Sequence, residues 1–140
     1  MNNKQSILSQ SPLQLDTQVK TWNESNFRAT QLKNWIFKNH VCDPVEMRNI
    51  PKSLQAKLQE HFDCSLPEIS SKLDAQDGAT KLLIKLASGH KIETVILRYD
   101  KRTSLCVSSQ VGCKLACTFC QTGKLGFFRN LKDFEIIQQF

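Results

Sequence analysis

The segment Cys113-Lys-Leu-Ala-Cys117-Thr-Phe-Cys120 sets three thiols at the spacing C-x3-C-x2-C. Three thiolates so close along a chain can converge on one compact metal centre. A cubane 4Fe–4S cluster has four irons, each usually held by a protein thiolate. Three neighbouring cysteines without an obvious fourth leave one iron open, and S-adenosylmethionine can fill it through its amino and carboxylate groups. Gly112, just before the first ligand, lets the backbone turn closely around an inorganic core. Phe119, between the second and third, can cover the cluster or contact the adenine of the cofactor. Three other chemistries compete. Zinc with Cys106 as fourth ligand is one, although structural zinc sites favour two separated pairs. A dithiol at Cys117 and Cys120 is another, poorly matched by the third cysteine. Buried, inert thiols are the third.

These residues need elements to hold them. A strand candidate at residues 104–108 immediately precedes the loop, with Ser104, Cys106 and Ser108 on one face and Leu105 and Val107 on the other. Cys106 thus lies on a polar face ahead of the cysteines. Glu93 alternates with Val95 and Leu97 in a strand candidate at residues 91–99. That places a carboxylate on an otherwise apolar face, where desolvation can suit it to proton abstraction; a solvated strand end is the competing reading. Strands at residues 69–73 and 80–86 complete an antiparallel meander, with Asp77-Gly78 and Ser88-Gly89 as turns. Residues 110–130 read as a glycine-punctuated loop. A last helix starts near Leu131, with Leu131, Phe134, Ile137 and Phe140 as its apolar stripe.

Upstream, the periodicity is helical. Phe27, Leu32, Trp35 and Ile36 share a face of one helix, and Pro51 opens another with Leu54 and Leu58 inward. Residues 1–22 are polar and predict a loosely ordered lead-in. Cys42 and Cys64 sit far from the motif and read as inert thiols; His40 beside Cys42 is a faint metal signal.

Net charge is +6 in 140 residues, and 40% of residues are hydrophobic, so the chain is globular and suited to an anionic partner. The basic excess gathers around the cysteine loop, where Lys114, Lys124 and Arg129 can meet phosphates. Phe127 and Phe128 could stack on a base or pack in the core. No apolar run suits a signal peptide or membrane span. The expectation is a soluble, cytoplasmic monomer with no membrane attachment and reduced thiols.

The stretch Cys106-Val-Ser-Ser-Gln-Val-Gly-Cys-Lys-Leu-Ala-Cys-Thr-Phe-Cys-Gln-Thr-Gly-Lys-Leu-Gly-Phe-Phe-Arg-Asn-Leu131 closely resembles the radical SAM dual-specificity 23S ribosomal RNA and transfer RNA adenine C2 methyltransferases. Phe27-Arg-Ala-Thr-Gln-Leu and Ile92-Glu-Thr-Val resemble that family's N-terminal region. The resemblance implies a 4Fe–4S cluster on Cys113, Cys117 and Cys120, S-adenosylmethionine as cofactor, a reducing electron donor, and 23S rRNA and tRNA as partners. It further implies that Glu93 is the proton acceptor and that Cys106 forms a transient disulfide as the RNA adduct resolves. Family members methylate a C-terminal cysteine, then draw hydrogen from that methyl group with a 5′-deoxyadenosyl radical, and the carbon radical adds to adenine C2.

The implied fold is α/β: a helical and small antiparallel-sheet accessory domain, then the first strand–loop–helix of a partial (β/α) radical SAM barrel. Residues 1–22 are the lead-in, 23–99 the accessory domain and 100–140 the start of the barrel. Members are more than twice as long, so the expectation is an N-terminal fragment that lacks the methyl-carrying cysteine and is inactive alone. Two alternatives stay open: the related adenine C8 methyltransferases, and a non-catalytic metal- or RNA-binding module.

Overall fold

The computed structural model describes residues 4–140. The chain forms two compact units, residues 1–66 and 67–140.

The first unit is helical. Strand β1 (Gln5–Ser6) leads through a 3-10 turn (Ile7–Ser9) into α1 (Pro12–Thr21). Ser11 caps α1: its Oγ accepts from the Gln14 amide at 3.2 Å, while the Ser11 amide donates to Gln14 Oε1 at 2.7 Å. Pro12 occupies the first turn, where no amide is needed. Helix α2 (Asn26–Lys33) widens into a π-helical turn (Asn34–Lys38), and α3 (Lys52–His61) follows a 3-10 turn (Pro44–Glu46). Strand β2 (Phe62–Asp63) then pairs in parallel with β1. The core gathers Ile7, Leu15, Val19, Leu32, Ile36, Leu54 and Leu58.

Two sequence expectations need correction here. Residues 5–21 are not a loose lead-in; they supply a strand, a capped helix and four core side chains, Ile7, Leu8, Leu15 and Val19. Their polar composition misled because only one narrow face is apolar. Phe27 is exposed rather than part of the α2 stripe, since the buried line runs through Ala29, Leu32 and Ile36. An ordered N-terminal segment has a measurable consequence. Ile7→Val, at a fully buried position, should lower unfolding stability by about 1 kcal/mol. Urea denaturation checks this, and an unchanged midpoint would return the segment to a dispensable tail.

The second unit is an antiparallel meander, β3 (Glu68–Asp74), β4 (Thr80–Lys85), β5 (Lys91–Tyr99) and β6 (Arg102–Cys106), paired in that order. The turns sit at the expected glycines: Gly78 and Gly89 have φ of +85° and +83°, which a side chain rarely adopts. One face of the sheet carries Ile84 and Ile92, which pack with Leu86, Val111 and Leu131 into this unit's core. The segment read as a loop is a second hairpin, β7 (Gln110–Gly112) and β8 (Phe127–Asn130), with a short helix α4 (Gln121–Lys124) between. Helix α5 (Asp133–Ile137) closes the chain.

The compact units divide between Leu66 and Pro67, and the β5–β6 ladder carries the sheet straight across residue 100. The face of α5 also differs from expectation. Ile137 and Phe140 are exposed, while Glu135 and Gln139 are buried beside Leu131. Polar partners on the neighbouring strands account for that inversion.

Candidate active site

Hairpin β7–β8 carries the cysteine loop. Gly112, at φ +74°, ends β7 so tightly that a β-carbon there would overlap the Gly126 carbonyl. The Cys113 amide donates to that same carbonyl at 3.0 Å, which fixes the first thiol at the base of the hairpin. The Cys120 amide donates to the Cys117 carbonyl at 3.1 Å. A β-carbon on Gly123 would come within 2.9 Å of the Cys117 backbone, so this glycine permits the close turn. Cys120 precedes α4, and backbone N–H groups of Gly123 and then Thr122 hold its thiol below its ordinary pKa. That favours the thiolate, the form that binds metal.

All three thiols are free and half-buried. Among the described residues, no three His, Cys, Asp or Glu side chains stand close enough to hold a metal ion as they are. The fit to an iron–sulfur cluster therefore lies in donor type and in a tightly knit loop backbone; the thiols must turn together to ligate. Phe119 is 89% exposed, and Leu115 and Leu125 are exposed beside it, so the loop presents an uncovered apolar rim.

Glu93 and Cys106 lie on one face of the meander. Cys106 pairs with Val95, two residues along β5 from Glu93. The Ser108 hydroxyl donates to the Glu93 carbonyl at 2.7 Å and extends the contact between the two segments. Cys106 is exposed, as its polar strand face predicted. Glu93 shares its strand face with half-buried Leu83, Val95 and Leu97, but that face is open rather than desolvated. The buried face of β5 is the opposite one, with Ile92 and Thr94, and Glu93 stands half-exposed 3.0 Å from Lys81 Nζ. The three cluster cysteines sit apart from this pair, on the β7–β8 hairpin.

Arg129, expected to meet phosphate, instead grips Glu135 with both guanidinium nitrogens at 2.7 and 2.8 Å. The Arg129 hydrogen bonds hold the Glu135 carboxyl below its ordinary pKa, aided by the Lys132 amide. Lys114 and Lys124 remain exposed. Gln139 was missed from sequence. Its buried amide accepts from Thr94 Oγ1 and the Ser108 amide, both at 2.8 Å, and donates to the carbonyls of Ser108 and Glu135. It thereby ties the segment after α5 to the strands bearing Glu93 and Cys106. The sequence carried no signal for it, since positions 135 and 139 lie off the apolar stripe of 131, 134, 137 and 140.

The thiols of the first unit behave as expected. Burial raises the pKa of Cys42, and burial with nearby Cys42 and acidic groups pushes Cys64 to about 12, which disfavours the reactive thiolate. Trp22 packs edge-on against His61 and Phe62.

Residues 6–64 match the family described as the ribosomal RNA large subunit methyltransferase N-terminal domain. The dual-specificity RNA methyltransferase RlmN of Halorhodospira halophila is 44% identical over 119 residues, covering 85% of this chain and 33% of that protein. RlmN of Saccharophagus degradans is 42% identical over 136 residues, covering 97% of this chain and 34% of that protein. The chain thus spans about a third of the length of these relatives. A radical SAM methyltransferase from Sphaerobacter thermophilus matches in structure with a TM-score of 0.87 and 31% identity, over 96% of this chain and 40% of that one.

Proposed function

Because this chain resembles the N-terminal portion of the radical SAM dual-specificity RNA methyltransferases RlmN, we propose that it serves methylation of adenine C2 in 23S rRNA and tRNA. The observation that carries this reading is the C-x3-C-x2-C loop, knit by Gly112 and Gly123 into a hairpin that directly follows the sheet bearing Glu93 and Cys106.

Cys113, Cys117 and Cys120 are the residues to hold a 4Fe–4S cluster, with Phe119 at its rim. When bound, the cluster and S-adenosylmethionine supply one-electron reductive cleavage of the cofactor, at the expense of an external electron donor. The chain's own residues do the rest of what is assigned to this portion. The backbone amides beside Cys120 favour its thiolate. Glu93 accepts the proton that leaves the adenine, and Lys81, 3.0 Å away, holds the carboxylate in place. Cys106 offers an exposed thiol for resolving a covalent RNA adduct. Residues 100–140 open the partial barrel in this reading. No helix among the described residues is long and apolar enough to cross a membrane, in keeping with work on cytoplasmic RNA.

Nucleoside analysis of the host's RNA tests the reading. Disrupting the coding sequence should remove 2-methyladenosine from digests of 23S rRNA and tRNA, as read by mass spectrometry. Loss of 8-methyladenosine instead would transfer the assignment to the C8 class. An unchanged nucleoside profile would reject both.

A further inference from the structure

The meander has two unlike faces. Ile84, Ile92 and Thr94 are buried on one. The register puts Lys81, Lys85, Lys91, Tyr99 and Arg102 on the other, together with Glu93 and Cys106. That second face is open. Leu83, Val95 and Leu97 are only half-covered along its floor, and its lysines project from the sheet's middle strands.

Charge on this face is unbalanced. Lys81 meets Glu93 at 3.0 Å and Lys85 meets Glu68 at 3.2 Å. Among the described residues, neither Lys91 nor Arg102 has a carboxylate partner. Arg102 instead lies over the Tyr99 ring, 4.9 Å from its centroid, and Tyr99 remains 51% exposed. An aromatic ring braced by a guanidinium, on an open antiparallel sheet with flanking lysines and a half-exposed apolar floor, matches the chemistry of an unpaired nucleic-acid strand. Bases stack on the ring while phosphates meet the cations. A protein partner would want the opposite: few lysines and a drier apolar centre.

We propose that this face receives an unpaired stretch of RNA, its phosphates held by Lys91 and Arg102 with Lys81 and Lys85 beside them, and one base stacked at Tyr99. The inference rests on the RNA reading above and adds to it the surface by which the strand is led toward Glu93 and Cys106. The cations are spread along the strands, so they follow a backbone rather than one phosphate.

The test is fluorescence anisotropy of a short labelled single-stranded RNA, titrated with the chain between about 50 and 200 mM salt. Lys91→Gln with Arg102→Gln should weaken binding at least tenfold at the lower salt. It should also reduce the slope of log affinity against log salt by roughly 1.4, the share of two phosphate contacts on a single strand. Tyr99→Leu should weaken binding about tenfold, whereas Tyr99→Phe, which keeps the ring, should bind as wild type. Lys72→Gln, on the opposite face of the same sheet, serves as control and should change nothing. All four positions are exposed or half-exposed at the surface, and circular dichroism confirms that each variant folds. Binding by the wild type with no loss in the face variants would overturn this inference alone. A loss in Lys72→Gln as large as in the face variants would also overturn it. No RNA binding by the wild type would overturn the underlying RNA reading itself.

Discussion

After anaerobic reconstitution with iron and sulfide, Cys117→Ala should carry no 4Fe–4S cluster, while the wild-type chain holds up to one per molecule. The expectation is near-total loss because a cubane with three protein ligands has no redundancy. Removing one thiolate leaves two of four irons without protein ligands. The loop offers no substitute: the nearest other thiol, Cys106, lies on β6 in a different hairpin, and no His, Asp or Glu falls within residues 106–131. Truncating Cys117 leaves its loop contacts in place. Its backbone, not its side chain, makes the contacts to Cys120 and Gly123. Cys42→Ala, a buried thiol of the helical unit, should load like wild type. Iron and labile sulfide analysis with the visible absorption of the cluster reads the result. Equal iron in wild type and Cys117→Ala would remove the ligand assignment, and zinc in place of iron would favour the binding-module alternative.

The second large effect belongs to Glu135. Its carboxylate is 6% exposed as a residue, and two Arg129 nitrogens and the Lys132 amide all donate to it. Replacing it by Gln leaves the guanidinium with a neutral partner and one misplaced donor. Breaking a buried ion pair costs several kcal/mol, but Arg129 is about a third exposed and recovers water, so Glu135→Gln should cost about 2 kcal/mol at pH 7. The pH dependence follows from the depressed pKa. A carboxyl held below its ordinary value of 4.5 contributes fully above that value, where both folded and unfolded forms are ionised. The contribution disappears as acid takes the pH down through the depressed value, because the folded state must then also take up the proton. Wild type should therefore lose stability between pH 6 and the acid limit more steeply than Glu135→Gln, and the two curves should converge in acid. Urea denaturation across that range measures it. Parallel curves, or equal stability at pH 7, would show that the pair contributes nothing.

What could be read from the residues alone was what local chemistry dictates. Asp77-Gly78 and Ser88-Gly89 announced their turns because positive φ belongs to glycine, and period-two alternation between them announced the strands. The cysteine spacing pointed to a metal centre because three thiolates in one short loop can converge, and the reconstitution above is its test. Cys106 was placed on the exposed face correctly, since alternation along a strand is a property of the strand itself.

What could not be read depended on partners distant in the chain. Which face of β5 is buried is decided by Val111 and Leu131, some twenty to forty residues on, and so Glu93 proved exposed beside Lys81 rather than sheltered. Strand β1 exists only because Gln5 and Ser6 pair with Phe62 and Asp63, far along the chain. The inverted face of α5 depends on Thr94, Ser108 and Arg129, which give Gln139 and Glu135 hydrogen bonds worth more than the exposure of Ile137 costs. Hydrophobic periodicity ranks positions by their own preference for water. A buried polar group reverses that ranking only when another part of the chain satisfies it, and that is settled only when the tertiary structure forms.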